Sequence, residues 1–273
     1  MIAPVKNGLV WLALLLLIFS CKKENYTTRP EDLLAFTADT LHFDTVFTTT
    51  GSTSRVLKII NDHSKAIQLD AIRLAGGVAS AFRINADGQP GPEVHGLEIA
   101  GNDSVYVFVS VHINPNMANL AFLVQDSLSI EYNGNKKWIQ LDAFGQNARY
   151  LRNQTIQTDE EWTNELPYVI LDKLEIAPGA RLTIQEGCKI YMHADAPFII
   201  NGSLQVNGER YDSTRVVFTG DRLDAPYRSF PASFPGLIFS PTSSNNILNY
   251  AIIQNAYQGI TVTDPAPGAK VIL

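Results

Sequence analysis

The sequence predicts an all-β chain: an antiparallel β-sandwich over residues 35–147, followed by a solenoid of short strands over 168–273. Apolar and polar residues alternate with period two between Thr40 and Ala148, and turn pairs punctuate that alternation. From Tyr168 onward, short apolar triplets recur with turn residues behind them. Two cysteines in 273 residues leave stability to core burial rather than to a disulfide framework.

The chain opens on an apolar run, Leu9 to Phe19, that follows Lys6 and ends in Ser20 before Cys21. Eleven helical residues span about 16 Å, roughly half the hydrocarbon thickness, so residues 1–20 read as a cleaved signal peptide rather than a membrane anchor. Leu17-Ile18-Phe19-Ser20-Cys21 resembles a lipobox, although Phe19 is bulkier than the small residue usual at its position. That resemblance implies a lipid anchor on Cys21, with residues 21–34 as a lipidated, polar tether. Lys22, where an aspartate would commonly retain a lipoprotein at the inner membrane, implies the outer membrane of a diderm bacterium, facing the periplasm or the surface. Lys22-Lys23-Glu24 loosely resembles a surface-export signal.

The strands of the first unit are expected around Val56–Ile60, Ile67–Leu74, Phe82–Ile84, Leu97–Ile99, Val105–Val111, Leu128–Tyr132 and Trp138–Leu141. Gly76-Gly77, Asp87-Gly88, Gly101-Asn102 and Asn133-Gly134 separate them, the last shaped for a two-residue hairpin. The order of pieces, from Leu41-His42-Phe43-Asp44 through Leu57–Asn61 to Ile139–Gly145, resembles the abnormal-spindle/hydin type of Ig-like domain.

Residues 148–167 carry polar clusters, Trp162 and Pro167, and read as a connector with one short helical turn near Asp159. Beyond it, Leu174–Ile176, Leu182–Ile184 and Ile190–Met192 repeat at eight-residue spacing, which fits a coil of about three strands per turn. One turn cannot bury its own apolar side chains and must stack on its neighbours. Asn201–Gly208, followed by Arg215–Thr219, resembles right-handed parallel β-helix proteins. The sequence stops on the apolar Lys270–Leu273, so the solenoid reads as incomplete: a piece of a longer protein, or one whose last coil a partner covers.

Chemistry is sparse. Pectin-cleaving β-helix enzymes need clustered carboxylates, for which the sequence offers Asp195, Asp212, Asp221 and Asp224. The longest insertion of the solenoid holds Asp221-Arg222-Leu223-Asp224 and Tyr227, and insertions often line a binding face. These residues are the candidate ligand-binding set, with Tyr211, Phe230 and Phe234 as aromatic neighbours suited to stacking on sugar rings. An inert polar loop with a local ion pair explains the same residues, and no catalytic residue is assigned. The histidines, His42, His63, His95, His112 and His193, are scattered singly, which predicts no metal site and no cofactor. Cys188 reads as a buried structural thiol. Asp-Ser/Thr triplets at Thr40, Thr45, Ser104, Ser127 and Ser213 resemble a bacterial O-glycosylation sequon, and turn chemistry accounts for them equally.

A formal charge of −6, without a Lys/Arg run beyond short pairs, argues against nucleic acid as a partner. The leading expectation is a noncatalytic envelope lipoprotein, tethered to a membrane through Cys21 and presenting its solenoid to a polysaccharide or a surface protein. A polysaccharide lyase or hydrolase and a structural envelope stalk are the alternatives.

Overall fold

The computed structural model describes residues 26–48, 51–52, 54–115, 121–264 and 270–273. Cys21, the segment 1–20 and the start of the tether lie outside the described residues. Among those that are described, no helix is long and apolar enough to cross a membrane.

Among the described residues ten strands build the first unit: β1 (Ala35–Phe36), β2 (Thr40–Phe47), β3 (Arg55–Asn61), β4 (Ile67–Leu74), β5 (Phe82–Ala86), β6 (Gln89–Gly91), β7 (Glu93–Ile99), β8 (Asp103–Val111), β9 (Phe122–Tyr132) and β10 (Asn135–Gln146). They form two five-stranded sheets, β1-β3-β8-β5-β6 and β2-β10-β9-β4-β7, as an Ig-like sandwich requires. The turn pairs behave as their residue types dictate. Asn133 and Gly134 hold φ of 46° and 75° between the paired Tyr132 and Asn135, the left-handed geometry of a tight hairpin. Alternation places Leu57, Ile59, Val107, Val109, Leu128, Ile130, Ile139 and Leu141 in the core between the sheets.

Two differences from the expected sandwich stand out. The pairing of β2 with β10 is parallel, and its register steps from Phe43↔Ala143 to Thr45↔Phe144, leaving Asp44 as a bulged residue. Residues 26–34 are packed rather than tether-like: Thr27 N–H donates to Ala66 O at 2.9 Å, and Leu34 is buried with its N–H on the Tyr132 hydroxyl at 3.2 Å. Asn133 and Asn135 reinforce this by donating to the carbonyls of Arg29 and Pro30 at 3.2 and 2.8 Å. Asn61, fully buried, ties two turns together, accepting from His63 N–H at 3.1 Å and donating to Lys65 O at 2.8 Å and Ala100 O at 3.0 Å.

Beyond Asn147 the described residues form three five-stranded parallel sheets, which the chain visits in turn. The expected connector is itself the first coil. Arg149–Leu151, Gln154–Ile156 and Glu160–Trp162 pair in parallel with Tyr168–Ile170, Leu174–Ile176 and Arg181–Gln185. Polar outward residues such as Arg149, Gln154 and Glu161 mask the alternation there, while Ile156 and Trp162 fill the inward positions. No helical turn forms at Asp159; its carboxylate accepts the Arg181 N–H at 2.9 Å. Trp162 stacks face to face on Tyr168, with ring centroids 4.1 Å apart.

The later coils follow the triplets. Lys189–Met192, Phe198–Ile200 and Ser203–Asn207 make the third, Val216–Gly220, Leu237–Phe239 and Asn246–Asn249 the fourth. Ala251–Ile253, Ile260–Val262 and Val271–Ile272 complete the fifth. Inward rows such as Leu182 on Leu204 and Ile190 on Phe218 produce a second continuous core. Buried Asn246 links adjacent coils by accepting from Leu204 N–H at 2.7 Å and donating to Lys270 O at 2.9 Å.

The two units pack against each other. Tyr150 of the first coil donates its hydroxyl to Thr48 O, and the rings of Phe47 and Tyr191 lie 4.8 Å apart. Val169 points outward from the first sheet of the stack, between inward-facing Tyr168 and Ile170, yet is 1 % exposed. The end of the sandwich therefore covers that sheet over its first three coils.

Candidate functional site

The candidate loop, residues 221–236, joins Val216–Gly220 to Leu237–Phe239 in the fourth coil. Its far end is fixed by Gly236, whose φ of 113° and contact with the Gln258 carbonyl leave no room for a Cβ. Arg222, Asp224 and Tyr227 converge. The Arg222 guanidinium donates two hydrogen bonds to Asp224, at 2.9 and 3.1 Å, and lies over the Tyr227 ring at 3.9 Å. Those bonds to Asp224 hold the guanidinium above its ordinary pKa. Tyr227 in turn meets Phe230 edge-on at 5.4 Å.

Asp221 faces elsewhere. Its carboxylate, 14 % exposed, meets His193 Nδ1 at 2.7 Å. Asp195 stands 4.0 Å from the other ring nitrogen of His193 and is largely exposed. Asp212 is exposed and pairs with Arg215 at 3.2 Å. Asp195 and Asp221 thus flank the two nitrogens of one His193, while Asp212 and Asp224 each engage an arginine of their own.

A hollow of about 210 Å³ opens between the two units, lined by Asp44, Arg55, His193, Asp221, Arg222 and Asp224 among others. Asp44 and Arg55 of the sandwich carry no sequence signal for that position. The bulge in β2 directs the Asp44 carboxylate to the Ala225 N–H at 3.2 Å and to Arg55 Nη2 at 3.3 Å, so that it clasps the loop to the sandwich. Asp44 and Ala225 are 181 residues apart, and no local signal in the sequence joins them.

The remaining candidates separate by burial. Tyr211 is exposed beside Arg210, whereas Phe234 is 1 % exposed and belongs to the core. Cys188 is buried, with Sγ 3.5 Å from Trp162 O, and burial pushes its thiol up to about 11. His42 meets Asp142 at 2.7 Å and His95 meets Glu93 at 2.8 Å. His63 contacts Leu33 O at 3.0 Å, and the backbone of His112 donates to Ala81 O. Among the described residues no group of three or more His, Cys, Asp or Glu is arranged to hold a metal ion. Thr40, Thr45, Ser104 and Ser127 are half-buried on strands of the sandwich, while Ser213 is exposed in a turn.

These features define an all-β protein with an Ig-like antiparallel sandwich joined to stacked parallel sheets. No family model and no curated protein sequence matches the chain. Among solved structures, a family 123 glycoside hydrolase from Clostridium perfringens is similar at 10 % identity and TM-score 0.31, covering 45 % of this chain and 26 % of that one. The E. coli chaperone DraB follows at 10 % identity and TM-score 0.30, covering 41 % of this chain and 55 % of that one. PapD-like domain 7 of human CEP192 aligns at 8 % identity and TM-score 0.30, covering 47 % of this chain and 94 % of that one.

Proposed function

We propose that this chain is a noncatalytic lipoprotein of the outer membrane of a diderm bacterium, anchored through Cys21. Its stacked sheets are a right-handed parallel β-helix, held out from the lipid by the sandwich and offered to a glycan or a surface protein. The observation that carries the binding reading is the hollow between the units, to which Asp44 and Arg55 come from one side and His193, Asp221 and Arg222 from the other. Concave sites at the junction of two packed units are where ligands preferentially bind.

The test has two arms. Metabolic labelling with a fatty acid should tag the wild-type chain in the outer-membrane fraction and leave Cys21→Ser unlabelled; an unlabelled wild type overturns the anchor. A glycan array, with pull-down from envelope extracts, should return a ligand whose binding falls when Arg55→Ala opens the hollow. A chain that binds neither class is a structural stalk.

The specific observation on the side of a polysaccharide-degrading enzyme is the His193–Asp221 pair at 2.7 Å beside the hollow. Turnover of acidic polysaccharides that disappears in Asp221→Ala and Asp224→Ala would replace the noncatalytic reading. Of the five sequon positions, Ser213 is the one presented on an exposed turn, and a glycan there would appear as added mass lost in Ser213→Ala.

A further inference from the structure

The sandwich buries Val169 in the outward row of the first parallel sheet but covers Tyr150 and Tyr191 only in part, and leaves the residues beside and beyond them open. Along that seam runs a second hollow of about 400 Å³, floored by Tyr191, Val217, Thr219 and Gln254 and flanked by Lys189 and Arg228. It adjoins a third, of about 220 Å³, and both are lined by Lys189 and Tyr191. The two form an elongated groove rather than a closed pocket, with a size in the range of about 300–1,000 Å³ usual for ligand sites.

The charges in this groove do not cancel. Asp44 is held by Arg55 and the Ala225 N–H, Arg222 is held by Asp224, and Glu165 by Arg149 at 3.0 Å. Lys189 and Arg228 are exposed and have no ion-pair partner among the described residues. Two uncompensated cations thus face one groove in a chain whose net charge is −6. Arg228 is held in place by its backbone, which donates to Asp224 O at 3.0 Å and accepts from Asn255 Nδ2 at 2.6 Å.

We propose that the seam groove binds an anionic polysaccharide, whose carboxylate or sulfate groups pair with Lys189 and Arg228 while a sugar ring lies beside Tyr191. This rests on the reading that the chain binds glycans and narrows the class to charged ones. Complementary charge selects the ligand, because a neutral glycan would leave both cations unpaired.

Calorimetric titration of the full chain in detergent tests the assignment, with polygalacturonate and dextran sulfate as probes and neutral dextran as control. Binding to polygalacturonate assigns carboxylates, binding to dextran sulfate assigns sulfates, and either supports the proposal. The double variant Lys189→Gln with Arg228→Gln should weaken that binding about tenfold or more, as expected for losing two charge-assisted contacts. Lys136→Gln, which removes a cation from the outer face of the sandwich, should leave it unchanged, and near-ultraviolet circular dichroism should confirm that all variants are folded. Raising salt to about 1 M should reduce binding, because charge pairs at a surface are then screened within about 3 Å. Failure of both polyanions to bind, equal binding of dextran or of a single-stranded oligonucleotide, or an unaffected double variant would overturn the proposal. Neutral glycans captured on an array in the absence of any polyanion binding would overturn it while leaving the broader glycan reading intact.

Discussion

In the sandwich, Ile139 of β10 faces Leu128 of β9 across one sheet, while β10 also pairs with β2, whose Leu41 lies 100 residues before its partner Leu141. In the stacked sheets, Leu182 rests on Leu204, and Leu174 on Phe198, each one coil further along the chain. The same alternation of apolar and polar residues serves both, but the sandwich closes only when remote segments meet, whereas each coil needs only its neighbours. A defect should therefore spread through the whole sandwich and remain local in the stack. Trp138 and Trp162, one in each unit, report on the two separately.

The largest expected effects compare two buried rings. Phe82→Ala in the sandwich and Phe198→Ala in the stack, both 0 % exposed, should each cost about 3–5 kcal/mol. In denaturant titrations, Phe82→Ala should shift the whole Trp138 transition, while Phe198→Ala should raise hydrogen exchange mainly in the third coil and its two neighbours. Uniform exchange across the stack in Phe198→Ala would break the contrast.

Next comes Asn61→Ala, which strands the turn carbonyls and the His63 N–H that Asn61 satisfies. Leaving such groups buried and unpaired costs about 1–3 kcal/mol, read in the same Trp138 transition. Asp44→Ala should cost about 1 kcal/mol, since its carboxylate is partly exposed. Its clearer signature is faster hydrogen exchange in residues 221–236 without a change in the cores of either unit.

Two pH effects sharpen the comparison from opposite ends. Burial raises the Cys188 thiol from 9.0 to about 11, so its contribution to the stack is complete below pH 9 and is lost as pH rises toward 11. A thiol reagent at pH 8 should accordingly label Cys188 only on unfolding. In the sandwich, hydrogen bonds from Lys136 and Arg73 hold Glu131 below the ordinary carboxylate range. Arg73 does the same for Glu93, and the Thr27 hydroxyl for Asp32. Their contribution is complete above that range and is lost as pH falls through their lowered values. Acid should perturb Trp138 before Trp162, by a small margin because these groups are at the surface.

Much of this architecture was legible residue by residue. The triplets Leu174–Ile176, Leu182–Ile184 and Phe198–Ile200 became strands, as did the alternating run Val105–Val111, because burial on one face imposes a two-residue period on any strand. Asn133-Gly134 formed its hairpin because few other pairs tolerate two positive φ angles in succession. Two stretches differ from what their composition suggests. Residues 149–162 hide a coil because their outward positions are polar and their turns are irregular, and residues 26–34 look like a tether because backbone and Asn hydrogen bonds, rather than apolar side chains, hold most of them. In the candidate loop, Arg222, Asp224 and Tyr227 are close in sequence and did come together, whereas Asp221 turned to His193.

What the sequence by itself determined is local: strand periodicity, turn positions, the stacking repeat and the buried character of Cys188. Each follows from chemistry that a residue shares with neighbours a few positions away. Only the tertiary structure decided that β2 would bulge at Asp44, that this carboxylate would reach Ala225, and that the sandwich would cover Val169 yet leave Lys189 and Arg228 facing one groove. These depend on how two cores meet, and contacts between distant segments leave no periodic mark on the chain that makes them.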